Sequence, residues 1–197
     1  MALTRLGPNN STNISGIDLT SQVTGTLPVA NGGTAITSGF ENGITDFDSW
    51  RMTASVNNAS SGVLNGTWER QDTNSENIKQ GTGMTESSGI FTFPGTGIWE
   101  IQFWTNMAVD GDYNYNGFYV LYSPNSGGAF SYLNGNWDSA GANDKSIAVG
   151  ATSLLNVSDA STYRVQAKAS GAGGGDYQGN TNVNYTYFVF KRLGDSA

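Results

Sequence analysis

Alternation of apolar and polar residues with a period of two limits the fold of this chain more than any other feature. It recurs in "WRMTASV" from Trp50, "IWEIQFWTNM" from Ile98 and "TYRVQAKA" from Thr162. Successive side chains of a strand point to opposite faces, so this period predicts strands with one buried face. The predicted inward residues are Trp50, Met52, Ala54, Val56, Trp99, Ile101, Phe103, Met107, Tyr163, Val165, Ala167 and Ala169. No segment of useful length has a 3.6-residue period, so the chain is predicted to be all-β.

Asn-Gly pairs punctuate the alternating segments. They begin at Asn42, Asn65, Asn116 and Asn134. Asn-Gly is the sequence that tight turns with positive φ favour. These four pairs are therefore predicted to be turns between strands.

The last predicted strand, "NYTYFVFKR" from Asn184, is apolar on both faces. Tyr187 lies on one face with Val189, and Phe188 and Phe190 lie on the other. A strand of this kind is either central in a monomeric sandwich or placed between a core and a partner subunit. The residues alone leave both alternatives open.

Composition excludes several classes of function. Neither histidine nor cysteine is present, which removes Ser-His-Asp sites, His-ligated metals and disulfides. The net charge is −7, and the nine Lys and Arg residues are scattered singly, so no nucleic-acid partner is expected. No apolar run approaches 18 residues, so no membrane insertion is expected either. We expect no cofactor.

Three segments carry a resemblance to a known superfamily. They are "SGIFTFPGTGIWEIQF" from Ser88, "LLNVSDASTYRVQAKA" from Leu154 and "NYTYFVFKRLG" from Asn184. In this order they resemble a strand-turn-strand centre, a penultimate hairpin and the closing strand of the tumour-necrosis-factor and complement globular-head superfamily. The resemblance implies an antiparallel jelly-roll sandwich as a head over residues 45–194.

Members of that superfamily are typically homotrimers whose inner sheets pack around a threefold axis. The resemblance therefore favours the second alternative for the last strand. It places Tyr187, Phe188 and Phe190 at or beside the threefold interface.

The segment "TGTLPVANGGT" from Thr24 resembles a short element of bacteriophage fibre proteins, which usually ends Gly-Gly-Thr-Gly. Here Ala35 replaces the last glycine. Pro28 favours an extended approach, and Gly32 and Gly33 permit a sharp bend or the close approach of three backbones. The resemblance implies that residues 1–40 form a leader and collar that bind another virion protein. An ordinary linker is the alternative.

Two carboxylate patterns are candidate sites of chemistry. "DGDYNYNG" from Asp110 contains half of a calcium-loop pattern, but the twelfth position counted from Asp112 is Ser123 rather than Glu. We predict a solvated turn and no metal, with Asp110 and Asp112 as weak alternative ligands. The pairs Asp46/Asp48 and Asp110/Asp112 have a spacing compatible with glycosidase chemistry, but nothing else converges on them.

Two segments, residues 129–144 and 170–183, are predicted to be connections at the end of the head far from the leader. Both combine aromatic side chains with amides and carboxylates, which suits sugar recognition. The candidate residues are Tyr132, Trp137, Asp138, Asp176 and Tyr177. In the alternative interpretation, Tyr132 and Trp137 only fasten a long loop to the core.

The sequence is therefore interpreted as a non-enzymatic phage virion protein. It would be a trimeric fibre or knob (a short tail fibre, tip or head fibre) for host adhesion or surface display, with host surface glycan as a partner. It would be assembled in the host cytoplasm and located on the tail or capsid surface. The first alternative is a capsid decoration protein with no host binding, and the second is a polysaccharide depolymerase.

Overall fold

Eleven strands make up the regular structure of the computed structural model, which describes residues 44–71, 79–109, 115–139 and 146–197. Their bounds are β1 Phe47–Met52, β2 Val56–Val63, β3 Trp68–Arg70, β4 Thr85–Ser87, β5 Ile90–Thr92, β6 Gly97–Val109, β7 Asn116–Ser123, β8 Ser131–Asp138, β9 Ser146–Val157, β10 Arg164–Tyr177 and β11 Tyr187–Gly194. Within those ranges there is no helix, and so none that could cross a membrane. The prediction of an all-β chain is confirmed.

The strands pair antiparallel in two layers. The first sheet has the order β3-β1-β11-β6-β9. In the second sheet, β10 pairs with β2 and β5 along one edge and with β7 along the other, and β8 lies outside β7. The short strand β4 extends β5. The end of β10 pairs with the end of β6 and joins the two sheets at one corner.

The core lies between the sheets and contains most of the residues that the alternation predicts to face inward. Ala54 is an exception: it is exposed in the bend between β1 and β2, because the alternating segment from Trp50 does not continue as one strand. On β6, Trp99, Ile101, Phe103 and Met107 are fully buried, and Thr105 is buried on the same face, while the even-numbered residues of the strand face outward. On β10, Val165, Ala167 and Ala169 are buried in the same way. The antiparallel jelly roll thus buries one face of each long strand, as a two-layer sandwich requires.

The outcome for β11 differs from the sequence prediction. Phe188 and Phe190 are fully buried within a single chain, where their rings lie 5.1 and 5.4 Å from the ring of Phe91 on β5. The prediction that these two phenylalanines contact a partner subunit is therefore wrong, because the second sheet of the same chain already covers them. Tyr187 lies on the opposite, outer face of β11 and is half-buried.

Two of the predicted turns are also wrong. Asn116 opens β7 and Asn134 lies within β8, and the glycines that follow them, Gly117 and Gly135, do not have positive φ. These glycines instead leave room for the indole of Trp137. The pair at Asn65 lies in the connection from β2 to β3, and the pair at Asn42 lies outside the described residues.

The segment predicted as a penultimate hairpin is two strands in different sheets. β9 pairs with β6 in the first sheet, whereas β10 pairs with β7, β2 and β5 in the second. Residues 158–163 therefore cross from one sheet to the other, as a sandwich connection does. A local apolar pattern does not distinguish this crossing from a hairpin, because both join two strands through a short polar turn.

Several predictions fall on residues outside the described ranges. These are the leader and collar, with Pro28, Gly32 and Gly33, and the carboxylates Asp110 and Asp112. They stay predictions.

Candidate functional site

Three aromatic side chains form a cluster on the outer face of the second sheet. Tyr119 on β7 is central: its ring centroid lies 4.4 Å from that of Tyr132 and 4.8 Å from that of Trp137, both on β8. Tyr132 is 65 % exposed and Trp137 is 37 % exposed. We call these three residues the surface aromatic cluster. It presents large ring surfaces to solvent while the rings hold one another in place.

Two glycines in neighbouring strands make room for Trp137. A Cβ on Gly117 would lie 2.6 Å from Cδ1 of the indole, and a Cβ on Gly135 would lie 2.6 Å from Cη2. The indole therefore lies across the bare backbone of β7 and β8. Because any larger residue at either position would lift the ring, these glycines set the orientation of Trp137.

Two asparagines on β8 hold the strand that carries the cluster. Asn134 Nδ2 donates to the carbonyl of Thr152 at 2.9 Å, and Asn136 Nδ2 donates to the carbonyl of Gly150 at 2.8 Å, both on β9. These side chains tie the outer strand of the second sheet to the outer strand of the first. Tyr132 and Trp137 thus stand on a strand held at both edges, which limits the entropy lost when a ligand binds.

The predicted site residues do not come together as a set. Residues 131–138 and 170–177 of the two predicted connections are strands, so the prediction that the five candidate residues lie in loops is wrong, whereas residues 178–183 do connect β10 to β11. Tyr132 and Trp137 meet through Tyr119. Asp138 is exposed at the end of β8, where it accepts a hydrogen bond from the N–H of Ser139.

Tyr177 is a correction to the predicted sugar site. Its ring is fully buried, its hydroxyl donates to the carbonyl of Gly117, and it accepts from the N–H of Ser170. Burial raises the pKa of Tyr177 to about 12, so the hydroxyl stays protonated as a donor. The neighbouring Asp176 is half-buried and accepts from the N–H of Asn58 at 2.7 Å. Tyr177 and Asp176 therefore hold β10 in place, and Tyr177 presents no surface to a sugar.

Sequence reasoning missed Tyr119, the residue that joins the cluster. The signal was present in "NGFYVLYS", where Phe118 and Val120 alternate with Tyr119 and predict that it faces outward. Its contacts with β8 depend on the register of β7 against β8, which the alternation does not supply. That register includes an irregularity between Val120 and Leu121.

A small pocket lies on the outer face of the first sheet. It has a volume of about 170 Å³ and is lined by Trp104, Thr105, Asn106, Ala148, Asn184, Tyr185 and Tyr187. Trp104 is 43 % exposed and its ring lies against Gly150 on β9. Burial raises the pKa of Tyr187 above its ordinary value. The pocket is far below the 300–1,000 Å³ typical of drug-sized ligand sites.

Both carboxylates of the pair Asp46/Asp48 accept hydrogen bonds from within the chain, and Asp48 is buried. The Asp48 side chain is 1 % exposed and accepts hydrogen bonds from Arg70, Trp50 and the N–H of Met84. Asp46 accepts from Thr45 and from the N–H of Thr82. Across the described ranges, no group of three acidic, His or Cys side chains is placed to hold a metal.

Comparison with known proteins identifies the fold. No protein-family model matches the chain, and no curated protein is similar to it in sequence. Among solved structures, murine APRIL at pH 5.0 is similar with a TM-score of 0.55 and 11 % identity, over 75 % of this chain and 98 % of that one. Eiger TNF from S. frugiperda is similar with a TM-score of 0.59 and 10 % identity, over 77 % and 94 % of the two chains. The chain therefore has a jelly-roll fold of the tumour-necrosis-factor type.

Proposed function

We propose that this chain is a non-enzymatic, trimeric binding protein of a phage virion, and that its surface aromatic cluster binds a host surface glycan. The observation that carries the proposal is the packed and exposed set Tyr119, Tyr132 and Trp137 on a rigid sheet. Sugar rings stack on flat aromatic faces through their C–H groups, and an indole held across bare backbone is such a face. Because the rings already pack on one another, binding requires little reorganisation.

The virion setting is supported by the N-terminal sequence. "TGTLPVANGGT" resembles an element of phage fibre proteins, and the polar leader precedes a head with a tumour-necrosis-factor type of fold. In this proposal, residues 1–40 attach the head to another virion protein on the tail or capsid surface. The head then displays the surface aromatic cluster outward.

The proposed trimer contact is the outer face of the first sheet. In register across β9, β6 and β11, this face carries Gly150, Trp104 and Tyr187, and Leu154 on β9 is 62 % exposed. The Lys191–Glu100 ion pair at 3.0 Å lies on the same face, where the hydrogen bond from Lys191 lowers the pKa of Glu100. Apolar rings flanked by a paired charge are typical of a subunit contact. We propose that a neighbouring subunit fills the pocket beside Trp104.

Replacing Trp137 or Tyr132 by alanine tests glycan binding. We expect either change to reduce binding to host cell envelopes at least tenfold, because each removes a stacking face, with little loss of stability since both rings are partly exposed. Binding is measured with labelled protein on host cells and on extracted envelope glycan. Tyr115→Ala is the matched control, since Tyr115 is an exposed tyrosine immediately before β7 that makes no ring contact with the cluster.

Unchanged binding in both variants would contradict the proposal that the surface aromatic cluster binds glycan. If the protein coats purified capsids between capsomers and binds no cells, the decoration alternative replaces adhesion. Sugar release from envelope glycan by the wild-type protein would instead support the depolymerase alternative.

Replacing Trp104 or Tyr187 by aspartate tests the trimer. We expect a folded monomer, because a charge buried without a partner at a subunit contact costs several kcal/mol. The mass of the particle in solution is measured by light scattering after size-exclusion chromatography. Ser131→Asp, an exposed change on the second sheet, is expected to leave the trimer intact. A trimer that survives both Trp104→Asp and Tyr187→Asp would contradict the proposed contact face.

A further inference from the structure

A lysine lies beside the surface aromatic cluster. Lys168 on β10 is the register partner of Tyr119 on β7, and Tyr119 is in turn the partner of Gly135 on β8. Residues paired in this way share a face of the sheet. The neighbours of Lys168 along β10, Ala167 and Ala169, are buried in the core, so Lys168 points to the outer face with Tyr119. It is half-buried there.

Lys168 differs from the other cations of the described ranges in having no partner. Four of them form ion pairs: Arg51 with Glu69, Arg70 with Asp48, Lys191 with Glu100 and Arg192 with Asp195. Lys79 and Arg164 donate to backbone carbonyls. Within the part of the chain that the structure describes, Lys168 makes no hydrogen bond, ion pair or cation–π contact.

The surroundings of Lys168 on this face are neutral. Register partners on neighbouring strands form rows that cross the sheet. The row through Lys168 contains Gly135, Tyr119 and Val63. The two adjacent rows contain neutral side chains only: Trp137, Gly117, Ser170 and Ser61 on one side, and Tyr132, Leu121, Gln166 and Ile90 on the other. No carboxylate in these rows neutralises the ammonium group. In a chain of net charge −7, a single uncompensated cation next to exposed rings is a specific feature of this face.

We propose that the surface aromatic cluster recognises an acidic sugar, whose ring stacks on Trp137 and Tyr132 and whose anionic group pairs with Lys168. This inference rests on the proposed glycan site and specifies its ligand. The anionic group is a carboxylate or a phosphate of the glycan. A charge-assisted hydrogen bond to an ammonium group is stronger than a neutral one, and the half-buried position reduces its screening by solvent. A single cation suits one anionic group at a time, which agrees with the absence of a basic stripe for polyanions.

Oligosaccharides that differ only in charge test the proposal. The probes are oligogalacturonate, its carboxyl-reduced neutral counterpart and a glycerol-phosphate oligomer, with binding measured by calorimetry on the full chain. We expect the wild-type protein to bind an acidic probe about tenfold more tightly than the neutral one. This preference is expected to weaken as the salt concentration rises, since salt screens exposed charges. Whether the uronate or the phosphate probe binds more tightly identifies the anionic group.

Lys168→Gln is the decisive variant. We expect it to remove the tenfold preference and its salt dependence while leaving binding of the neutral probe and the melting temperature unchanged. Lys79→Gln is the matched control, since Lys79 is an exposed lysine away from the cluster, and it is expected to behave as the wild-type protein.

The outcomes separate this inference from the proposed function. Trp137-dependent binding of neutral and acidic probes with equal affinity, or a preference that survives Lys168→Gln, overturns the role of Lys168 and leaves the glycan site standing. If no probe and no envelope glycan binds in a manner that depends on Trp137, both proposals fail.

Discussion

Phe188→Ala is expected to destabilise the chain by about 3–5 kcal/mol, because it removes a fully buried ring from the centre of the sandwich. Phe188 on β11 packs against rings from four other positions, at centroid distances of 4.6 to 5.6 Å: Phe103, Phe91, Phe190 and Trp68. These come from both sheets, so a cavity at Phe188 loosens the contact between the layers. For a domain of this size, such a loss corresponds to a fall in Tm of about 10 °C.

Thermal and urea unfolding, followed by tryptophan fluorescence, measure the effect of Phe188→Ala. Leu193→Ala on the same strand is the control: Leu193 is exposed, and its replacement is expected to change the free energy of unfolding by less than about 0.5 kcal/mol. Wild-type stability in Phe188→Ala, combined with dissociation of subunits, would restore the interface role that the sequence predicts for this residue.

Asp48→Asn is expected to destabilise the chain by about 2–4 kcal/mol without changing the volume of the core. One oxygen of the Asp48 carboxylate accepts from the N–H of Ser49 and from Arg70 Nε. The other accepts from Trp50 Nε1, Arg70 Nη2 and the N–H of Met84. Whichever oxygen becomes an NH₂ group then faces donors, and the Arg70 guanidinium loses its counter-charge. Arg70 is partly exposed and regains some hydration, which keeps the loss below that of a fully buried pair.

Asp195→Asn is the matched control for Asp48→Asn. Asp195 also pairs with an arginine, Arg192 at 2.7 Å, but its side chain is 97 % exposed. Exposed ion pairs contribute little to stability, so we expect the free energy of unfolding to change by no more than about 0.5 kcal/mol. Equal unfolding midpoints for the two variants in urea would contradict this expectation. They would show that the Asp48 carboxylate contributes no more to the free energy of unfolding than an exposed charge does.

Only part of the candidate site can be predicted from the sequence. Tyr132 and Trp137 could be selected from composition and context, and both are exposed. Tyr177 could not be judged in this way, because its burial depends on β10 bending from the second sheet onto the end of β6. For Gly117 and Gly135 the sequence predicts turns, because a local Asn-Gly pair carries no information about a tryptophan that packs across it.

The sequence by itself determined the strand class of this protein and the inward faces of β6 and β10. A period of two is a local property of the extended backbone, so the buried residues of an alternating strand can be identified without knowing its partners. Only the tertiary structure decided which apolar face of β11 is covered. Both faces have the same local pattern, and the covering residue Phe91 stands nearly a hundred positions earlier in the chain. The tertiary structure also brings the surface aromatic cluster and Lys168 together. Their proximity depends on the register between β8, β7 and β10, which arises from non-local pairing of separate segments.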